Sequence, residues 1–97
     1  MSQNFQNYIA GAWHDGETTI ENINPSDLPD SIGHYAQANR RQLDNTLDAA
    51  ASAQKQWAET GLEARQSILM NIGNELMARR EELGRLLSRE EGKPLAE

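Results

Sequence analysis

The chain has no cysteine and no valine, and its 97 residues include only five aromatic side chains and three prolines. Without cysteine there is no disulfide framework, and the composition suits a reducing compartment. Without valine, and with alanine supplying much of the 37% hydrophobic content, core-forming area is thin. A chain of this size buries only about 60–70% of its unfolded surface. No apolar run approaches the ~20 residues that span a bilayer. Met1-Ser2-Gln3-Asn4-Phe5-Gln6-Asn7 lacks the positive start and apolar stretch of a secretory signal. Positive charge is scarce as well: nine Lys and Arg against fifteen Asp and Glu give a formal net charge of -6. That balance argues against nucleic acid, which needs a basic stripe to displace counterions, and against an anionic membrane surface. The expectation is a soluble, cytoplasmic protein.

What is present divides near residue 39 into an extended arm (1–38) with short β-strands and a helical segment (39–97), an α/β chain that is mostly helical. Asn7 to Trp13 reads as two short strands around Ala10-Gly11, where Gly11 can supply the positive φ of a hairpin turn. His14 to Glu17 reads as a loop, and Thr18 to Ile23 as the next strand. Asn24-Pro25-Ser26-Asp27-Leu28-Pro29-Asp30 is a turn: Pro25 presets φ, and Ser26 and Asp27 can bond back to the backbone. Ser31 to Ala36 is a further strand, with a bulge or close approach at Gly33.

Asn39-Arg40-Arg41-Gln42 has the form of a helix N-cap with Gln three residues on. Leu43, Leu47, Ala50, Gln54 and Trp57 then share one helical face, which makes Trp57 a core or staple residue. Thr60-Gly61-Leu62-Glu63 has the form of a capping box opening a second helix. That helix carries two apolar stripes: Ala64, Ile68, Leu69, Ile72 and Leu76 on one side, Met70, Gly73 and Met77 about 100° away. Such a helix is expected to be covered on two sides, with the preceding helix as one partner. Past Arg79-Arg80 the apolar set resumes at Leu83, Leu86 and Leu87 around Gly84, where a bend or a fresh short helix is expected. Arg79, Arg80, Arg85 and Arg89, interleaved with Glu81, Glu82, Glu90 and Glu91, read as a solvated, ion-paired face.

Local chemistry yields no active site. His14 and His34 have no spacing that points to shared zinc. Glu90 and Glu91 are helical neighbours about 100° apart, so they share no face. Gly92-Lys93 lacks the preceding glycine and the following Ser or Thr of a phosphate-binding loop. Ser26, Ser31, Ser67 and Ser88 have no histidine and acid placed for a triad. The run Arg89-Glu90-Glu91-Gly92-Lys93-Pro94 is a helix-stop signal, and a chain that has just turned such a corner is normally entering another element. The expectation is the front end of something larger.

Read in order, Asn7 to Trp13, Asn22-Ile23-Asn24-Pro25, an alanine-rich helix reaching Trp57, Thr60 to Leu69 and Glu90-Glu91-Gly92-Lys93-Pro94 resemble the N-terminal stretch of the NAD(P)-dependent aldehyde dehydrogenase superfamily. The wording around Asn22 to Asp27 and Ser88 to Lys93 is most similar to the α-ketoglutarate semialdehyde (2,5-dioxopentanoate) dehydrogenases. The resemblance implies an oxidoreductase of roughly five times this length, with a Rossmann-like domain for NAD or NADP, a catalytic domain and a homo-oligomeric assembly (dimer or tetramer). In such enzymes a cysteine thiolate attacks the aldehyde, amide groups hold the oxyanion, hydride passes to the nicotinamide, and a glutamate activates water to release the carboxylate. None of those residues can be carried onto this chain, which alone is expected to be inactive. The helical segment is expected to pack on the cofactor domain. The resemblance also implies a structural monovalent cation, held by backbone carbonyls matching Asn22 and Ile23 and by an acidic side chain matching Glu90. The family usually has Asp at that last position, so Glu90 departs from it by a methylene. The alternative to an enzyme segment is a self-contained acidic helical interaction module that docks a partner helix on the Met70/Met77 stripe.

Overall fold

The computed structural model describes residues 3–97; of the N-terminal segment read for a secretory signal, Met1 and Ser2 lie outside the described residues. After a two-residue strand β1 (Asn4–Phe5), strands β2 (Asn7–Ile9) and β3 (Ala12–His14) form a hairpin. Its corner needs positive φ at both central residues, and Ala10 (52°) and Gly11 (81°) provide it. Gly11 adopts this freely, whereas Ala10 works against its Cβ. Tyr8 and Trp13, directly paired, hold their rings 4.8 Å apart on the open face.

Strand β4 (Thr18–Ile23) runs antiparallel to β5 (Ser31–Gln37), and β1 pairs in parallel on the other side of β5, giving the order β1-β5-β4. Sequence reading missed β1, because two residues carry no alternation. The register shifts between Asn22 and Ile23, which face Gly33 and Ser31, so Ile32 is the extra residue of a bulge. Gly33 is there for a close approach: a Cβ at that position would sit 2.5 Å from the Phe5 ring and 2.8 Å from the Gln3 carbonyl oxygen. Phe5 stacks on Tyr35 at 4.7 Å.

Helix α1 (Arg40–Glu59) starts where expected, with Asn39 Oδ1 accepting from the Gln42 amide at 2.8 Å. Gln42 does not reach back to the cap. Its Nε2 donates to the Asp15 carbonyl and its Oε1 accepts from Asn7 Nδ2, both at 3.0 Å, so it fastens the helix to the hairpin.

Helix α2 (Leu62–Ala78) corrects the capping-box expectation. Thr60 closes α1, its hydroxyl donating to the Gln56 carbonyl, and Gly61 is the cap of α2 without any side-chain bond. The Gln56 carbonyl accepts from both the Thr60 amide at 3.1 Å and the Thr60 hydroxyl at 3.0 Å, so Thr60 is committed to the end of α1. The fresh short helix is present as α3 (Arg80–Glu91), but the break falls at Arg79 (φ -104°, ψ 16°) and Gly84 lies inside the helix.

The elements form an open body, not a closed one. The radius of gyration is 17.0 Å, against about 12–13 Å for a globule of this length. Accessible surface is 7967 Å², roughly 2400 Å² above the ~5500 Å² that size scaling gives for a folded chain of this mass. Ile32, 7% exposed, is the one buried large apolar side chain among the described residues. The expected cover of α2 by α1 is not found. Ile68, Leu69, Ile72 and Leu76 are exposed on one stripe and Met70 and Met77 on the other. Trp57, expected in a core, is 42% exposed. A two-residue connection joins the helices, and Leu69 and Met70 share only a shallow groove with Trp57 of α1.

Candidate functional site

The best-built feature is the junction between the Asn24–Asp30 turn and the C-terminal end of α3. Asn24 organises the turn: its Oδ1 accepts from the Ser26 amide at 2.9 Å, its own amide donates to the Asp30 carbonyl at 3.0 Å, and its Nδ2 donates to Asp30 Oδ2 at 3.2 Å. This is an Asx turn closed at its base, with Asn24 in the role the sequence assigned to Ser26 and Asp27.

Five hydrogen bonds then tie the turn and the strand residues flanking it to the end of α3. Arg89 grips Asp30 with two parallel donors, Nη2 to Oδ1 at 2.6 Å and Nε to Oδ2 at 2.9 Å, and reaches the Ser31 carbonyl at 3.4 Å. The Arg89 guanidinium, and behind it the Asn24 amide, hold the Asp30 carboxyl below its ordinary value of 3.8. Asn22 Nδ2 donates to Glu90 Oε1 at 2.9 Å, and Ser26 Oγ donates to the Gly92 carbonyl. Gly92 closes α3 in the left-handed conformation (φ 69°), with the Gly92 and Lys93 amides both donating to the Ser88 carbonyl. Its missing Cβ leaves room for Pro25 and Ser26, which such a carbon would meet at 2.6 Å.

Of the three residues implied as cation ligands, the structure brings Asn22 and Glu90 into direct contact, and Ile23 follows Asn22 where the ladder is disrupted. Carboxylate and carbonyl oxygens are the hard donors such an ion takes. The Asn22 amide donates to Glu90 Oε1 and so competes with a cation for that oxygen. Among the described residues no group of three or more His, Asp or Glu is clustered for a metal ion, so further ligands would have to come from other sequence. The described residues also contain no glycine-rich turn between a strand and a helix: β5 runs into α1 through Ala38-Asn39. They do not fit a dinucleotide.

The arginine-rich face is only partly as expected. Arg79, at the break before α3, pairs with Glu82 in the first turn of that helix at 2.7 Å, but Arg89 turns away from its glutamate neighbours to Asp30. Local charge spacing holds no signal for that long-range pair. No helix among the described residues is long and apolar enough to cross a membrane.

The described residues thus form a small α/β unit, a strand arm whose turn is locked to the end of α3, with the helical faces left open. The sequence model of the aldehyde dehydrogenase family matches residues 13–97, and the chain belongs to that family. It is 34% identical over 95 residues to an alpha-ketoglutarate semialdehyde dehydrogenase of Haloferax volcanii, covering 96% of this chain and 20% of that protein. It is 39% identical over 93 residues to an N-succinylglutamate 5-semialdehyde dehydrogenase of Chromobacterium violaceum, covering 93% and 18%. With a 1-pyrroline-5-carboxylate dehydrogenase 2 of Bacillus subtilis the identity is 29% over 94 residues, covering 97% and 18%. The chain therefore spans about a fifth of the length of the curated relatives it matches.

Proposed function

We propose that these residues are the N-terminal part of an NAD(P)-dependent aldehyde dehydrogenase that oxidises a semialdehyde, such as 2,5-dioxopentanoate, to the carboxylate. The observation that carries the reading is the family match over residues 13–97, made to relatives two of which are named for semialdehydes. In this reading the chain's work is structural. The hairpin and sheet form an arm, and the helical segment 39–97 packs its open faces on the cofactor domain. The junction of Asn22, Asp30, Arg89 and Glu90 fixes the arm to the helices. The carbonyls of Asn22 and Ile23 and the Glu90 carboxylate supply part of the shell of a monovalent cation. Substrate, nicotinamide and nucleophile are held by other parts of a cytoplasmic homo-oligomer, and the 97 residues alone are inactive.

The interaction-module alternative requires a closed core, and a chain with Ile32 as its one buried large apolar residue among those described does not favour it. The test is aldehyde-dependent reduction of NAD and of NADP, measured for the full-length polypeptide and for the 97-residue chain over a panel of semialdehydes. Turnover by the long form alone is expected. Turnover by the short chain, or none by the long one with any aldehyde, would overturn the reading.

A further inference from the structure

In α2 the usual order of burial is inverted. Leu62 (77% exposed), Leu69 and Met70 lie open, while Arg65 is the one residue of the helix that is not exposed. It sits in the crook between α1 and α2, in a shallow groove lined by Trp57, Leu62, Arg65, Gln66, Leu69 and Met70. Its Nε is shut off from solvent and has no acceptor, and the guanidinium takes part in none of the salt bridges among the described residues. Arg89, held against the Asn24–Asp30 turn, grips a carboxylate with two donors, as exposed Arg79 does with Glu82 three residues on. A planar cation half-buried in a groove that it shares with an indole and apolar side chains calls for a planar anion, and a carboxylate matches its fork of donors.

We infer that this groove is the seat of a segment of the same polypeptide beyond Glu97, which places an Asp or Glu carboxylate on Arg65 and apolar side chains against Trp57, Leu69 and Met70. The inference rests on the dehydrogenase reading above and goes further by naming the anchor and the chemistry of its occupant. Size favours this occupant over a second copy. The excess surface of roughly 2400 Å² on this chain alone is about three times the ~800 Å² that each partner contributes to a standard interface. The relatives carry about four-fifths of their length outside the match. Arginine, tryptophan and methionine gathered in one groove are the residue types enriched at the centre of an interface and not its rim.

The test uses the full-length protein with Arg65→Lys, treated with a carbodiimide that joins an amine to a carboxylate without a spacer, and maps the product by mass spectrometry. The expected product is an amide between position 65 and one Asp or Glu beyond position 97 of the same subunit. A link to an acid within residues 1–97, or one between isotopically distinct subunits, would overturn the inference. So would an amine that acylating reagents modify freely without any link. As a second readout, peroxide oxidation of Met70 is expected to run about tenfold faster in Arg65→Ala than in the parent, with Arg85→Ala unchanged; equal rates in all three would also overturn it. Turnover without the link removes this inference alone, whereas the link without turnover removes the dehydrogenase reading and leaves the docking site standing.

Discussion

Arg89 and Asp30, 59 positions apart in sequence, meet through two parallel hydrogen bonds of 2.6 and 2.9 Å. Bidentate geometry fixes orientation as well as distance, so this pair sets the angle at which the turn after β4 meets the end of α3. The Asn22–Glu90 contact, one residue further along the helix, follows from it.

The pair makes stability acid-sensitive in a defined direction. Asp30 titrates below its ordinary 3.8 in the folded protein, chiefly through the Arg89 hydrogen bonds. A depressed carboxyl contributes fully above roughly pH 5, and that contribution is lost as pH falls through the folded value. Glu82, lowered from 4.5 by Arg79, adds to the same limb. Asp30→Asn is expected to flatten, without abolishing, the fall in unfolding midpoint between pH 5 and 2 in the full-length protein. Denaturant titrations across that range would reveal an unchanged limb if the pair is inert.

Gly33→Ala should cost about 1–3 kcal/mol, the usual range for forcing extra volume into a fixed contact. The added methyl meets the Phe5 ring and the Gln3 carbonyl, so β1 must leave β5. Hydrogen exchange at the His34 amide, which donates to Gln3 at 2.8 Å, should accelerate most. Uniform acceleration over the whole sheet would count against this account.

Gly92→Ala combines a left-handed backbone with overlap on Pro25 and Ser26. The conformation alone costs about 1–2 kcal/mol, and the overlap separates the turn from α3. A lower melting midpoint in the full-length protein, with Asn22 and Ser26 losing exchange protection together, is expected; a midpoint matching the parent would show the junction to be dispensable.

At the hairpin the direction reverses. Ala10 holds φ 52°, a position that asparagine fills with less strain. Ala10→Asn should stabilise the hairpin by a few tenths to about 1 kcal/mol, read as slower exchange at the β2 and β3 amides. Faster exchange would mean that the turn takes another form.

The 97-residue chain by itself should bind hydrophobic dyes and melt broadly, because Leu69, Met70, Ile72, Leu76 and Met77 have no cover. A sharp calorimetric transition with no dye binding would show that the chain closes its own core.

The sequence was most legible where a local rule acts alone. Asn39 capping α1, Gly11 at the hairpin corner, Gly92 ending α3 and Thr18–Ile23 as a strand all depend on residues within a few positions of each other. Reading failed where two rules compete or where the partner is remote. Thr60 fits an N-cap and a C-terminal back-bond equally well, and the α1 carbonyl took it. The apolar stripes of α2 were read as faces to be covered, with α1 as one cover, and the structure leaves both exposed, because apolar spacing along one helix does not say where the next helix lies. Of the candidate site, the proximity of Asn22 and Glu90 came from family resemblance. The Arg89–Asp30 grip that holds them there leaves no mark in either neighbourhood, because a contact across 59 positions has no period to show.

The parallel pairing of β1 with β5 carries a consequence for synthesis. Strand β1 leaves the ribosome before its hydrogen-bonding partner, which follows some thirty residues later, after the hairpin and β4. At about 5–20 residues per second, the first strand waits roughly 2–6 s for that partner. During the wait Phe5 lacks Tyr35 to stack on, so a nascent-chain chaperone or a rare-codon pause acting in this window would bear on whether the arm is docked or left dangling.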